Sequence, residues 1–134
     1  MQTFLPYADF AKSAASLDRL RLNKQRVETK QIYLALTQPD YGWKSHPAVL
    51  IWKGHTGALI NYGIAICNEW RVRGYNDSLL PWFEERREQD ASLPALVGHE
   101  PFHVSHRSNL VRKNPAYYAP LFPGVPDNLP YLWA

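Results

Sequence analysis

The first third of the chain carries apolar residues at the spacing of an amphipathic helix. These residues lie three or seven positions apart and comprise Leu17, Leu20, Val27 and Leu34. On an α-helix this spacing brings side chains close to one stripe, which can then pack against a core. The pattern predicts a helix that begins near Asp9 or Ser13, ends at Leu36 and has a break near Ser16.

A second apolar pattern begins after residue 55 and predicts the most clearly defined helix of the chain. One face of this helix carries Leu59, Tyr62, Ile66 and Trp70. Arg71 and Arg73 occupy its last turn, where cations offset the negative end of the helix dipole. Gly74 follows as a C′ residue, so we expect the helix to end there.

Proline and glycine divide the rest of the chain into short helices and long loops. Short helices are predicted over residues 46–51, 81–89 and 105–114. Extended or loop segments are predicted over residues 1–10, 37–42 and 93–101. The tail, residues 117–134, is rich in proline and aromatic residues and is predicted to wrap the body without forming a helix. Few segments alternate with period two, so the sequence predicts an all-α fold, a compact and irregular single-domain helical bundle over residues 1–134.

The composition limits the classes of protein that fit this chain. Its 134 residues are 46% apolar and 20% charged, so the chain can form a hydrophobic core that is stable without disulfide bonds. Cys67 is the single cysteine, so neither an intrachain disulfide nor a cysteine metal site can form. The N-terminus lacks a basic and apolar leader and no apolar run reaches membrane-spanning length, so we expect a cytoplasmic protein without a membrane partner. A net charge of +3 is only weak evidence for nucleic acid.

The densest charge cluster lies on the first predicted helix. Arg21, Lys24 and Arg26 could hold phosphates, and Glu28 or Asp18 could act on a proton or on a developing cation. The alternative is a solvated helix surface on which neighbouring charges form ion pairs, such as Asp18 with Arg21 or Lys24 with Glu28. On the pattern alone, the solvated surface is the favoured interpretation.

Two histidine-containing segments are further candidates. His55 precedes the second long helix, where backbone N–H groups attract an anion, although a cap by Thr56 explains the same residues. His103 and His106 share a helical face but have no clear third ligand nearby, so a metal site is not expected. The pattern favours phosphate contacts over a metal site. The residues that would make these contacts are His106, Arg107, Arg112 and Lys113. The alternative is a helix capped by Ser105 whose cations offset the dipole.

Taken together, three segments resemble the pyrimidine-dimer DNA glycosylase family. The first is the basic helix ending in Arg26-Val27. The second is Gly54-His55 with the helix exit at residues 71–75, and the third is residues 105–110 with 114–118. The resemblance implies a compact all-α fold that seeks damaged or modified bases in duplex DNA without a metal or a cofactor. It also implies that the N-terminal α-amine attacks the sugar C1′ to form a Schiff base, assisted by a glutamate. An α-amine suits this task because its ordinary pKa is near 8.

Two positions differ from what the resemblance implies. Gln2 follows Met1 and is too large for ordinary removal of the initiator methionine, so the amine would belong to Met1. The helix-one glutamate of the family falls on Asn23, and Glu28 lies about a turn and a half further along the helix. The catalytic candidates are therefore Met1, Glu28 and Arg21. The DNA-binding candidates are Arg21, Asn23, Lys24, Gln25, Arg26, His55, His106, Arg107 and Lys113.

The leading hypothesis from sequence is a base-excision N-glycosylase, with or without abasic-site lyase activity, that acts on damaged or modified pyrimidines as a monomer. The alternative is a non-catalytic module of the same fold that binds DNA or a modified nucleotide, and the presence of Asn23 motivates it. A third hypothesis is a protein-interaction domain that uses the aromatic tail, whose residues could close the core or stack on bases.

Overall fold

The computed structural model describes residues 1–133, and every regular element in this range is a helix. The elements are α1 (Phe10–Ser16), α2 (Arg19–Thr37), α3 (Pro47–Leu50), α4 (Thr56–Val72), α5 (Leu80–Glu84), α6 (Glu100–Lys113) and α7 (Pro115–Leu121). The prediction of an all-α fold is confirmed. Within this range, no helix combines the length and the apolar character needed to cross a membrane.

The predicted break near Ser16 separates α1 from α2. Asp9 caps α1 by accepting a hydrogen bond from the Lys12 backbone N–H at 2.8 Å, and Leu17 leaves the helix with extended backbone angles. Asp18 is the N-cap of α2, and its backbone N–H donates to the Tyr118 hydroxyl at 2.8 Å. The start of α2 is therefore held by the C-terminal part of the chain, about one hundred positions away.

Helix α4 is the centre of the bundle and separates two groups of buried apolar side chains. The larger group includes Tyr62 and Ile66 and connects α4 with the N-terminal segment, α2, α3, α6 and the tail. The smaller group lies between α4 and α5, where Gly63 lets the Phe83 ring approach so closely that a Cβ at Gly63 would lie 2.4 Å from it. Gly74 follows α4 with φ of +92°, as predicted for a C′ residue.

Two predicted helix boundaries were wrong, and so was the prediction that the tail forms no helix. Helix α6 begins at Glu100 instead of Ser105, with Pro101 in its first turn, and α5 ends at Glu84, five residues before the predicted end. The tail is also partly helical, because Asn114 caps α7 and Pro115 occupies its first position. From residue 122 to 133 the tail has no regular element and wraps α6, as predicted.

Candidate functional site

The N-terminal segment is extended, buried from Gln2 to Pro6, and pinned by side chains of α6. The Leu5 N–H donates to His106 Nδ1 at 2.9 Å, and the Leu5 carbonyl accepts from His103 Nδ1 at 2.7 Å. Arg107 Nε donates to the Pro6 carbonyl at 2.7 Å. An extended chain has no internal partners for its backbone groups, so these side chains satisfy them. The N-terminus is thus held in place, whereas most chain termini fray.

Gln25 of α2 joins the N-terminal segment to a carboxylate. Its Nε2 donates to the Gln2 carbonyl at 2.7 Å and to Glu28 Oε2 at 3.0 Å. Its Oε1 accepts from the Phe4 N–H at 2.8 Å and lies 2.7 Å from the Tyr62 hydroxyl. The four partners saturate the amide, so Gln25 orients Glu28 and the start of the chain together.

A cleft of about 360 Å³ opens beside this amide, between the N-terminal segment, α2, the start of α3, the end of α6 and the tail. Its walls are formed by Met1, Gln2, Phe4, Leu20, Arg21, Lys24, Glu28, His46, Lys113, Tyr131 and Trp133. The structure therefore brings together all three catalytic candidates, which are Met1, Glu28 and Arg21. Of the other DNA-binding candidates, Lys24 and Lys113 line the same cleft.

The two carboxylates of α2 near the cleft have different surroundings. Asp18 accepts from Arg21 at 2.9 Å and from the Tyr118 hydroxyl, and only 9% of Asp18 is exposed. Burial raises the pKa of Tyr118, so its hydroxyl stays protonated and keeps donating. Glu28 accepts from the neutral Gln25 amide and has no ion-pair partner within 4 Å among residues 1–133. Asp18 is thus engaged in structure, and Glu28 is the carboxylate available to a ligand.

The two ion pairs considered from the sequence have different outcomes. The pair of Asp18 with Arg21 forms, but Lys24 makes no pair with Glu28. In the part of the chain that the structure describes, neither Lys24 nor Lys113 has a carboxylate within 4 Å. The positive charges of these two lysines are therefore not held in an ion pair within the described chain.

His46 lines the cleft but is not among the candidates that the sequence predicted. Its Nδ1 accepts from the Ala48 N–H at 3.0 Å and so caps α3. Burial lowers the pKa of His46, and the N-terminal ammonium lowers it further, while Glu28 opposes the shift. The sequence His46-Pro47 indicated the start of a helix, but it carried no sign of a site.

Tyr131 and Trp133 form an aromatic wall of the cleft. Their ring centroids lie 5.3 Å apart, and the Trp133 ring lies 6.4 Å from His46. Both rings are half-buried and pack against the core, so they close the core and face the cleft at the same time. Core closure, one of the two alternatives that the sequence left open for the tail, therefore describes these residues, and base stacking stays a prediction.

Two predicted DNA contacts are fully buried, and their surroundings do not fit that role. Gln25 and His106 have no exposed surface, and both hold the N-terminal segment from inside the protein. Burial lowers the pKa of His106 to about 3, so its ring is neutral and offers no charge to a phosphate. Sequence reasoning misassigned them because a polar side chain looks the same whether it faces solvent or an internal backbone group.

The remaining candidates lie outside the cleft. Arg26 pairs with Asp77 and also donates to Asn23 Oδ1 at 2.9 Å. His55 lies against the Ser92 carbonyl at 3.0 Å, beyond α3. Arg107 donates to Glu100 at 2.8 Å besides holding Pro6. These side chains are already engaged by the protein itself.

The surroundings of His103 agree with its structural role. Its Nε2 accepts from the Gly98 N–H at 2.9 Å while its Nδ1 donates to Leu5. Both ring nitrogens are therefore used by the backbone. Among residues 1–133, no cluster of three or more histidine, cysteine, aspartate or glutamate side chains could hold a metal ion.

A family model described as pyrimidine dimer DNA glycosylase matches residues 1–80, which is 80 of the 134 residues. This range includes the N-terminal segment, α2 and His46, and it excludes Lys113 and the aromatic wall. No curated protein and no solved structure matches the chain significantly.

Proposed function

The chain belongs to the pyrimidine dimer DNA glycosylase family, and on this premise we propose that it excises a damaged or modified pyrimidine from duplex DNA in the N-terminal cleft. The observation that carries the proposal is the convergence of Met1, Glu28 and Arg21 on one cleft whose cations exceed its carboxylates. A phosphate backbone is the ligand that such a surface attracts.

The target nucleotide must leave the base stack to reach this cleft. Enzymes that act on a base take it out of the duplex, because the reacting atoms are shielded inside the helix. A cleft of about 360 Å³ lies in the size range of small-ligand sites and suits one nucleotide. Its aromatic wall, Tyr131 and Trp133, offers flat faces for the extruded base.

In the proposed reaction the nucleophile is the Met1 α-amine. Its neutral form attacks the sugar C1′, the bond from C1′ to the base breaks, and the base departs with the bonding electrons. The nitrogen then loses a proton and the sugar ring opens, which leaves an imine between Met1 and C1′. The imine acidifies the C2′ hydrogen, so removal of that proton expels the 3′ phosphate by β-elimination and cuts the strand.

Glu28 supplies the carboxylate in this proposal. A carboxylate beside C1′ stabilises the positive charge that develops on the sugar as the base departs, and it can accept the proton that the amine or C2′ releases. Gln25 donates to both Glu28 and the Gln2 carbonyl, so it fixes the position of Glu28 relative to the N-terminal segment. Arg21, Lys24 and Lys113 contact the flanking phosphates.

A second candidate function is a non-catalytic module that binds DNA or a modified nucleotide. The observation that favours it is Asn23 of α2, which stands where the resemblance places the glutamate of the family. Asn23 is exposed and accepts a hydrogen bond from Arg26. In that case the cleft would bind its ligand without breaking a bond.

Borohydride trapping on abasic-site DNA separates these proposals. Reduction of the imine should leave a covalent complex, and peptide mapping should locate the adduct at Met1. The matched control is the same chain with one residue added before Met1, which moves the amine away and should abolish trapping. Lys24→Ala and Lys113→Ala should still give the trapped Met1 complex at saturating DNA, since neither lysine is the nucleophile, although both variants should bind DNA more weakly.

Two outcomes would contradict the proposal in different ways. Base release without any trapped complex would exclude the amine and leave a glycosylase that uses water. Tight binding to modified DNA with neither base release nor trapping on a panel of modified pyrimidines would favour the binding module.

A further inference from the structure

Trp43 is the most exposed tryptophan of the described chain and has an unfavourable backbone conformation. Its relative exposure is 61%, although a tryptophan ring is usually buried for most of its area. Its φ of +70° is the single positive value at a non-glycine residue within residues 1–133. The adjoining Gly42, which could adopt such an angle without strain, does not have a positive φ. Backbone strain at an exposed aromatic residue is a reason to look for a function.

The loop that carries Trp43 is fixed on both sides. Lys44 Nζ donates to the Ala35 carbonyl at 2.7 Å and to the Gln38 carbonyl, so it closes the C-terminal end of α2. The His46 N–H donates to the Trp43 carbonyl at 3.0 Å, and His46 in turn caps α3. These bonds fix the backbone of the loop that carries the exposed indole.

Trp43 lies beside the cleft. Its ring centroid is 6.0 Å from that of His46, which lines the cleft, and His46 connects it to Trp133. Trp43 is not itself among the residues that line the cleft, so its exposed ring lies at the edge, next to the space proposed for an extruded nucleotide.

We propose that Trp43 stacks on the base that becomes exposed where the DNA stack opens around the extruded nucleotide. This inference rests on the proposed function of the cleft. Extrusion of a nucleotide removes a stacking partner from its neighbours, and an indole in that position replaces it. Trp43 would therefore be a DNA-positioning residue that stabilises the opened duplex and takes no part in bond breaking.

The test compares two duplexes of the same sequence, one intact and one with a stable abasic-site analogue. Replacement Trp43→Ala should weaken binding to the abasic duplex by about 5-fold to 150-fold, the range for loss of one base–aromatic stack. Binding to the intact duplex should change much less, because its stack is closed. Trp43→Phe keeps a flat ring and should recover most of the affinity. Leu93→Ala removes a side chain of similar exposure, 54%, outside the cleft and is the matched control.

A fluorescent base provides a second measurement. With 2-aminopurine next to the abasic site, binding of the wild-type protein should quench the fluorescence by stacking, and Trp43→Ala should not. Equal losses of affinity on both duplexes, or unchanged quenching in Trp43→Ala, would overturn the inference. Trp43→Gly relieves the backbone strain, so it should fold at least as stably as the wild type while it loses the quenching.

Failure of the inference and failure of the proposed function give different results. If the wild-type protein forms the trapped Met1 complex but Trp43→Ala binds and quenches normally, only the role of Trp43 is wrong. If the wild-type protein neither binds modified DNA nor releases a base, the proposed function is wrong and the inference is wrong with it.

Discussion

Helix α2 carries two cations, Lys24 and Arg26, that lie in the same basic stretch of the sequence and have different surroundings in the structure. Lys24 lines the cleft, is exposed and has no carboxylate within 4 Å in the described chain. Arg26 lies two positions further, donates through Nε to Asp77 at 2.7 Å and covers the Trp70 ring at 5.1 Å. The Asp77 side chain has no exposed surface and the Arg26 side chain is 12% exposed.

The difference shows that the position of the counter-charge decides what a cation on this helix does. Burial acts to raise the pKa of Asp77, but hydrogen bonds from Leu80 N–H and Arg26 outweigh it and hold the pKa below its ordinary value. Asp77 is thus charged and neutralises Arg26 inside the protein. The cleft has no such carboxylate for Lys24 or Lys113, so their charge remains available to a ligand. We expect changes at Arg26 to affect stability and changes in the cleft to affect DNA.

The largest expected effect is at Glu28. Replacement Glu28→Gln keeps the size of the side chain and removes the charge, so base release should fall by about 10²-fold to 10⁴-fold. DNA affinity should be unchanged or slightly tighter, because a negative charge has left a basic cleft. Single-turnover base release and equilibrium binding measure the two quantities. Glu88→Gln, at an exposed site outside the cleft, is the control, and equal activity of both variants would exclude Glu28 from the reaction.

The next effect is on stability. Arg26→Ala leaves the buried Asp77 carboxylate without its partner, and it should lower the free energy of unfolding by about 3 kcal/mol. Adding Asp77→Asn should restore part of that loss, since no uncompensated charge then remains. Denaturant unfolding measures both variants. A change of less than about 0.5 kcal/mol for Arg26→Ala would show that the ion pair is not structural.

The N-terminal wall of the cleft should be sensitive to acid through His106. Its pKa is about 3 in the folded protein, whereas an unfolded chain has the ordinary value near 6.5. Between these values the unfolded state binds more protons, so stability is complete above about pH 6.5 and is lost as the pH falls, by at most about 1.4 kcal/mol per pH unit.

His106→Asn tests this acid dependence. An asparagine oxygen can still accept from Leu5 N–H but does not titrate in this range, so the slope of stability against pH should become shallower. Unfolding free energies measured between pH 6.5 and pH 4 provide the slope. A loss of stability that is the same at every pH does not change this slope. His99→Asn, at an exposed site, should keep the wild-type slope. Equal slopes in all three proteins would show that His106 does not carry the effect.

The smallest effect expected is at Lys24. Lys24→Ala should change the unfolding free energy by no more than about 0.5 kcal/mol. It should reduce the slope of log affinity against log salt by about 0.9, because one phosphate contact is lost. Fluorescence anisotropy with a labelled duplex between 50 and 200 mM salt measures the slope. Lys53→Ala, exposed and outside the cleft, should leave it unchanged, and an unchanged slope for Lys24→Ala would remove Lys24 from the DNA surface.

The sequence by itself determined the helical elements and the family. The spacing of apolar residues is a local property, so α2, α4 and the break near Ser16 could be predicted from it. Gly74 as a C′ residue predicted where α4 ends. Family motifs are also ordered along the chain, and the family match covers the first two of the three segments that carried the resemblance. The predicted end of α5, the predicted start of α6 and the prediction of a tail without a helix were wrong, because caps and burial decide short helices more than periodicity does.

Only the tertiary structure decided which polar residues line the cleft. The Leu5 N–H meets His106 across 101 positions, and Gln25 meets Gln2 across 23, so no local pattern contains these bonds. Because of these bonds, His106 and Gln25, which were predicted to contact DNA at the surface, are buried and hold the N-terminal segment. They also bring Met1 and Glu28 to one cleft with His46, whose position in the sequence indicated only a helix start. Charge and spacing predicted where cations are, and packing decided which of them already have a partner.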